Sequence, residues 1–205
     1  LLKLDRERMR FVGYRRDPTD LNTLPHNNVL TLFEDAEGVM WVGTLSGLVP
    51  VIRKPPFFNY RHSAANPNSL ADNTVWSVLG DRQGLLWIGT EIGLNRLDRK
   101  TGQFTLYRHD PQNRHSLSSD KVPAIREDRS GTLWFGTYGG GVSRFDRATG
   151  RFFTYRHDPK DPQSLDSDLV LSLLVDRQDV LWVGTQLGAL NRFDRNSRRF
   201  TTIFS

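Results

Sequence analysis

The sequence of 205 residues contains no cysteine. That excludes disulfides, cysteine nucleophiles and thiolate metal sites, and it suits a reducing cytosol and a disulfide-free periplasm equally. No apolar run approaches the roughly 18 residues of a membrane-spanning helix. A charged segment followed by an apolar one, the mark of a signal peptide, is missing from the first residues, but these already stand in the middle of a repeat and the absence carries no weight. Sustained 3.6-residue apolar periodicity is missing too, so no substantial helix is expected. Nor is there a block of one charge sign. The net charge is +5, and arginines are interspersed with acids, as in Arg96 with Asp98, Arg144 with Asp146 and Arg192 with Asp194. A nucleic-acid binder gathers its basic residues on one face or one helix. This mixed pattern reads as a solvated exterior, and no nucleic-acid partner is expected.

What the sequence has instead is one decapeptide written four times. It reads DAEGVMWVGT from Asp35 to Thr44, DRQGLLWIGT from Asp81 to Thr90, DRSGTLWFGT from Asp128 to Thr137 and DRQDVLWVGT from Asp176 to Thr185. The tryptophans Trp41, Trp87, Trp134 and Trp182 are 46, 47 and 48 residues apart. A period in this range dictates an architecture of stacked units. The flanks repeat in phase. A polar lead-in ending in Val29, Val75, Val122 or Val170 precedes each decapeptide, and Gly93 to Asp98 is echoed by Gly141 to Asp146 and by Ala189 to Asp194. Phe104 to Pro111 is echoed by Phe152 to Pro159 and, at the start of the chain, by Phe11 to Pro18. The frame therefore predicts a half unit over residues 1–20 and units over about 21–67, 68–114, 115–162 and 163–205.

Within the unit from Asn68 to Arg114, Val75 to Leu79 reads as a buried strand. Asp81 to Gly84 is a turn whose carboxylate caps backbone N–H groups, and Leu85 to Thr90 is a second strand. Glu91 to Gly93 is a second turn, and Leu94 to Asp98 a third strand. Phe104 to His109 is a fourth, after a turn holding Thr101 and Gly102. In the last unit Asp179 stands in place of the turn glycine, a residue that tolerates left-handed backbone. Four antiparallel strands per unit, with an aromatic signature on the second, describe the blade of a β-propeller. The expected fold is all-β: four blades and a half blade, an arc of a larger ring. A closed five-bladed ring with one two-stranded blade is the alternative, at the cost of a bare sheet edge. The tryptophans are expected to pack between blades, because a blade cannot bury both its faces alone.

The signature D-x-x-G-x-L-W-[IV]-G-T followed by G-L-x-R-[FL]-D resembles the two-component regulator propeller repeat, end to end. The first unit departs from it: Gly47 to Ile52 lacks R-[FL]-D and carries Pro50, and Pro55-Pro56 follow. Pro50, without an N–H, belongs on an edge or a bulge. The resemblance implies the extracytoplasmic, periplasmic sensor region of a bacterial two-component protein. Such a region would bind a small molecule, an oligosaccharide among them, and signal across the membrane as a homodimer to a histidine kinase or diguanylate cyclase. It implies no catalysis, cofactor or metal in this segment, and contact with a membrane only through other segments. A scaffold for a protein partner, and a propeller lyase or hydrolase, are the rival readings.

His62, His109 and His157 share one repeat position. On separate spokes they cannot meet at one ion within zinc's ~2 Å ligand distances, so they read as surface consensus residues. Adjacent Glu34-Asp35 and Glu127-Asp128 point to opposite faces of a strand and make no acid–base dyad. Gly139 to Gly141 has neither the Lys-Ser/Thr nor the helix of a phosphate loop. The residues that break the repeat are more informative. With the first strand innermost, as the resemblance implies, one mouth of the ring is built from the lead-ins and the turns between second and third strands. His26, Trp76, Glu91, Lys121, Tyr138 and Gln186 fall there and are the expected ligand-binding residues. Tyr138 suits stacking on a sugar ring.

Overall fold

The protein, represented by a computed structural model, is described at all residues except 6–7, 21–22, 52–58, 187 and 205. The described residues form seventeen strands and no helix. Strands β1 (Leu2–Asp5) and β2 (Arg10–Gly13) form a hairpin; β3 (Val29–Glu34), β4 (Met40–Thr44) and β5 (Gly47–Val51) form a three-stranded sheet. Three four-stranded sheets follow. The first holds β6 (Val75–Gly80), β7 (Leu85–Thr90), β8 (Gly93–Asp98) and β9 (Gln103–Tyr107). The second holds β10 (Ala124–Glu127), β11 (Leu133–Thr137), β12 (Gly141–Asp146) and β13 (Arg151–Tyr155). The third holds β14 (Val170–Val175), β15 (Leu181–Thr185), β16 (Leu190–Asp194) and β17 (Arg199–Phe204). Every pairing is antiparallel between consecutive strands. This is the expected all-β propeller of antiparallel blades, with three named strands in the first blade rather than four.

In the first blade β5 is the outermost named strand, and Pro50 lies on it opposite Trp41. An isolated bridge from Leu48 to Tyr60 marks where the fourth strand would run; Pro55-Pro56 lie outside the described residues. The first strands β3, β6, β10 and β14 stand side by side around a central cleft of about 440 Å³.

The decapeptide explains itself once folded. Asp81 Oδ1 accepts the backbone N–H groups of Gln83 and Leu85, both at 2.9 Å, and so closes the β6–β7 turn. Gly84 there takes a φ of 82°, and Asp179 takes 66° at the equivalent position. The second oxygen does different work. Asp81 Oδ2 accepts Trp87 Nε1 at 2.7 Å and Arg147 Nη1 at 2.8 Å, the arginine arriving from the next blade. Asp35 repeats this with Trp41 and Arg99, and Asp128 with Trp134 and Arg195. Asp176 bonds Trp182 in the same way, but among the described residues no arginine forms an ion pair with it.

The tryptophans pack between blades as expected. Trp87 meets Phe135 and Phe145 of the next blade with ring centroids 5.5 and 5.3 Å apart, and Trp134 meets Phe193 at 5.1 Å. Trp41 joins Leu70, Val75, Leu86 and Leu97 of the second blade. Gly89, two residues after Trp87, is held to glycine by a close approach: a Cβ there would collide with the Val122 carbonyl of the next blade. Thr90 ends the motif with its hydroxyl on the Gly93 carbonyl at 2.7 Å, tightening the turn that leads toward the mouth.

Candidate functional site

At one end of the blades the lead-in of each blade is stitched to the turns between second and third strands. Gly93 N–H donates to the Asp120 carbonyl at 2.8 Å, and Tyr138 N–H to the Lys121 carbonyl at 3.0 Å. Gly139 and Gly141 both donate to the Asp168 carbonyl at 3.0 Å, and Gln186 to the Leu169 carbonyl at 2.9 Å. These backbone bonds fix where the loop side chains start. Five of them then meet.

Trp76 is the extra residue of a β-bulge between Val75 and Ser77, which turns it into the mouth. Its Nε1 donates to Glu91 Oε2 at 2.6 Å. The other oxygen of Glu91 lies 3.3 Å from Lys121 Nζ. That ammonium sits 4.7 Å from the ring centre of Trp76 and 5.0 Å from that of Tyr138. The Tyr138 hydroxyl donates to Gln186 Oε1 at 2.5 Å. The row runs across three blades. Its members are partly exposed: Lys121 and Glu91 side chains keep 30% and 42% of their surface. Each cation–π contact at such a site contributes on the order of 0.5–1 kcal/mol, and the exposed ion pair less. The row is therefore easily rearranged, in contrast to the buried Asp–Trp–Arg junctions at the other end.

The sixth expected residue, His26, is not in this row. Its Nδ1 accepts the Asn28 N–H at 2.9 Å within its own lead-in. The three repeat histidines each place Nδ1 on a carbonyl: His62 on Leu70, His109 on Leu117 and His157 on Leu165, at 2.7–2.8 Å. They tie the outer edge of one blade to the lead-in of the next. Among the described residues no group of three or more His, Cys, Asp or Glu is placed to hold a metal ion. Glu127 and Asp128 serve separate partners. Glu127 accepts Arg82 N–H and Arg147, and burial, opposed by those contacts, raises its pKa. Asp128 caps its own turn.

One residue escaped the sequence reading. Arg126, on β10, lines the central cleft with Trp76, Phe33 and Leu79. The signal was present in the frame: Phe33, Leu79 and Leu174 occupy the same repeat position.

No curated protein sequence matches the chain. Among solved structures it superposes on the extracellular domain of the hybrid two component system BT3049 from B. thetaiotaomicron, with 24% identity over 96% of this chain and 27% of that one, at a TM-score of 0.77. The extracellular domain of the one component system BT4673 from the same organism gives 21% identity over 100% and 25%, at 0.75. Streptogramin B lyase gives 16% identity over 89% and 56%, at 0.64. These likenesses establish the fold, and the chain spans about a quarter of the length of the first two. The family described as two component regulator propeller matches residues 23–46, 69–91, 116–139 and 164–186. Each match runs from a lead-in through a first strand and a signature tryptophan to the turn at the mouth. Those are the parts whose hydrogen bonds recur from blade to blade, and by them the chain belongs to the two-component regulator propeller family.

Proposed function

We propose that this chain is a ligand-sensing propeller segment of an extracytoplasmic two-component sensor, without catalysis of its own, and that it takes a small oligosaccharide at the mouth described above. The observation that carries the reading is the row Trp76–Glu91–Lys121–Tyr138–Gln186, in which two aromatic rings and three polar groups from three blades converge. Rings offer apolar faces to a sugar, and the carboxylate, ammonium and amide offer hydrogen bonds to its hydroxyls. A sugar ring seated between Trp76 and Tyr138 displaces the Lys121 ammonium. The weak contacts that join the three blades are then exchanged for contacts with ligand. Only such a difference in affinity between two arrangements lets a ligand shift a signalling equilibrium. The intact protein, as a homodimer in the periplasm, would pass that shift to a kinase or cyclase.

The test is calorimetric titration of a panel of neutral and acidic oligosaccharides into the chain, with Trp76→Leu and Tyr138→Ala variants beside it. Leu30 and Leu171 hold the Trp76 position in other blades, so Trp76→Leu keeps the repeat pattern. Saturable binding weakened about tenfold or more by either change supports the reading. Binding that ignores both changes, or no binding by any member of the panel, sinks it.

A further inference from the structure

The central cleft contains a charge without a counter-charge. Its lining comes from the first strands of all four blades, and Arg126 is the one charged residue in it among the described residues. Repeat register puts Arg126 opposite Trp134, as Phe33 is opposite Trp41, Leu79 opposite Trp87 and Leu174 opposite Trp182. Three blades thus put a hydrocarbon where the third puts a guanidinium. Among the described residues its one hydrogen bond runs from Nη1 to the carbonyl of Ile125 at 2.7 Å. No carboxylate of the described residues lies within ion-pair distance. The Arg126 side chain is exposed to the cleft, and arginine stays protonated throughout the physiological range. An exposed guanidinium with no counter-charge in an otherwise uncharged cleft is free to pair with an anion that enters it.

We infer that the cleft receives an anionic sugar, whose carboxylate or sulfate pairs with Arg126 while its neighbouring ring lies against Trp76. This rests on the glycan reading of the mouth and adds the charge of the ligand to it. The two groups line one cleft from neighbouring blades, at different levels along it. Trp76 lines the cleft at the repeat position of Pro123, and Pro123 precedes Arg126 by three residues, a difference in level of about 10 Å along the strand direction. The planar fork of arginine matches a carboxylate or sulfate bidentately, and four of its donors remain uncommitted after the Ile125 bond. The cleft offers no acidic side chain to repel the ligand.

The experiment compares methyl β-glucuronide with methyl β-glucoside, which differ in a carboxylate against a hydroxymethyl group. Both are titrated into the chain and into Arg126→Leu and Arg126→Lys variants, read by NMR from the Trp76 indole N–H resonance in all three and, in the native chain, from the Arg126 Nε–H resonance as well. Leucine is what two other blades carry here, so Arg126→Leu retains the core pattern. The expected result is a glucuronide preference of about tenfold or more in the native chain, reduced in Arg126→Lys and abolished in Arg126→Leu. Equal affinity for the two sugars, or a preference that survives Arg126→Leu, overturns the inference. If both sugars bind equally and Tyr138→Ala abolishes both, the mouth binds glycans and the anion pairing is wrong. If inorganic sulfate shifts the Arg126 resonance but neither sugar binds, the anion pairing stands and the glycan reading falls. No shift with any of the three removes both.

Discussion

Arg147 crosses from the third blade to place Nη1 2.8 Å from Oδ2 of Asp81 in the second, a carboxylate whose side chain has no exposed surface. The same guanidinium holds Glu127 of its own blade at 3.0 Å. Removing the arginine strands a buried anion that still has Trp87 and two backbone N–H groups as partners. Arg147→Met is expected to cost on the order of 3 kcal/mol in a denaturant titration. A double-mutant cycle with Asp81→Asn should return a coupling well above that of a surface ion pair, about 0–1 kcal/mol. Additive losses would mean the pair does not join the blades.

Acid should separate the blades. Burial raises the pKa values of Asp35 and Asp128, but hydrogen bonds outweigh it: Trp41 and backbone for Asp35, Ser130, Trp134 and Arg195 for Asp128. Both values end below the ordinary range. A depressed folded pKa gives stability that is fully present above the unfolded value, about 3.9, and is lost as pH falls through the folded one. Unfolding free energy, followed by urea titration at a series of pH values, should hold from neutrality to about pH 5 and fall below about pH 4. Asp128→Asn should be less stable at neutrality and show a shallower fall.

Asn95 is fully buried, and its Nδ2 has no hydrogen-bond partner among the described residues. The fourth blade shows what is missing. There Asn191 Nδ2 donates to Asp166 Oδ1 at 2.5 Å, and Asn191 Oδ1 receives Asp166 N–H just as Asn95 Oδ1 receives Ala71 N–H. Thr185 also bonds that carboxylate. Ala71→Asp is therefore expected to stabilise the chain by about 1 kcal/mol, seen as a raised thermal midpoint. A lowered midpoint would show that burying the new carboxylate costs more than the amide recovers.

The four signature tryptophans are not equivalent. Trp87 is fully buried, whereas Trp182, with no described blade beyond it, is only partly covered. Trp87→Ala should cost on the order of 3–5 kcal/mol, and Trp182→Ala less than half of that. Leu174 and Ile203 of the same blade are 56% and 41% exposed. An unpaired blade face of this kind favours association. Sedimentation velocity of the 205-residue chain should show weight increasing with concentration, and one sharp monomer boundary at all concentrations would contradict this.

The blades were legible in the sequence because the period and the strand alternation point the same way. The β6–β9 boundaries fall within a residue or two of those read from Val75 to His109. Asp81 was legible as a turn cap, since that bond is local. Its second role was not, because the arginine that completes it stands 66 residues on, and pairs such as Arg96 with Asp98 suggested neighbours in sequence instead. At the mouth, five candidates met because backbone bonds join lead-in to turn there. His26 did not, because its own lead-in already uses its ring nitrogen. Arg126 is a break in the column of Phe33, Leu79 and Leu174, but an arginine on a strand is commonly a solvated side chain, and only the ring places that column against the central cleft.

Asp35, Asp81 and Asp128 are each completed by an arginine 64 to 67 positions later. During synthesis, a blade that has fully left the ribosome still lacks its closing cation until about two thirds of the next repeat has been made. Maturation would then trail translation by a constant lag, and every blade but the newest would be locked in order. A stalled ribosome carrying the first three repeats should hold a finished first junction, Asp35 with Arg99, beside a third that protease still opens at Asp128.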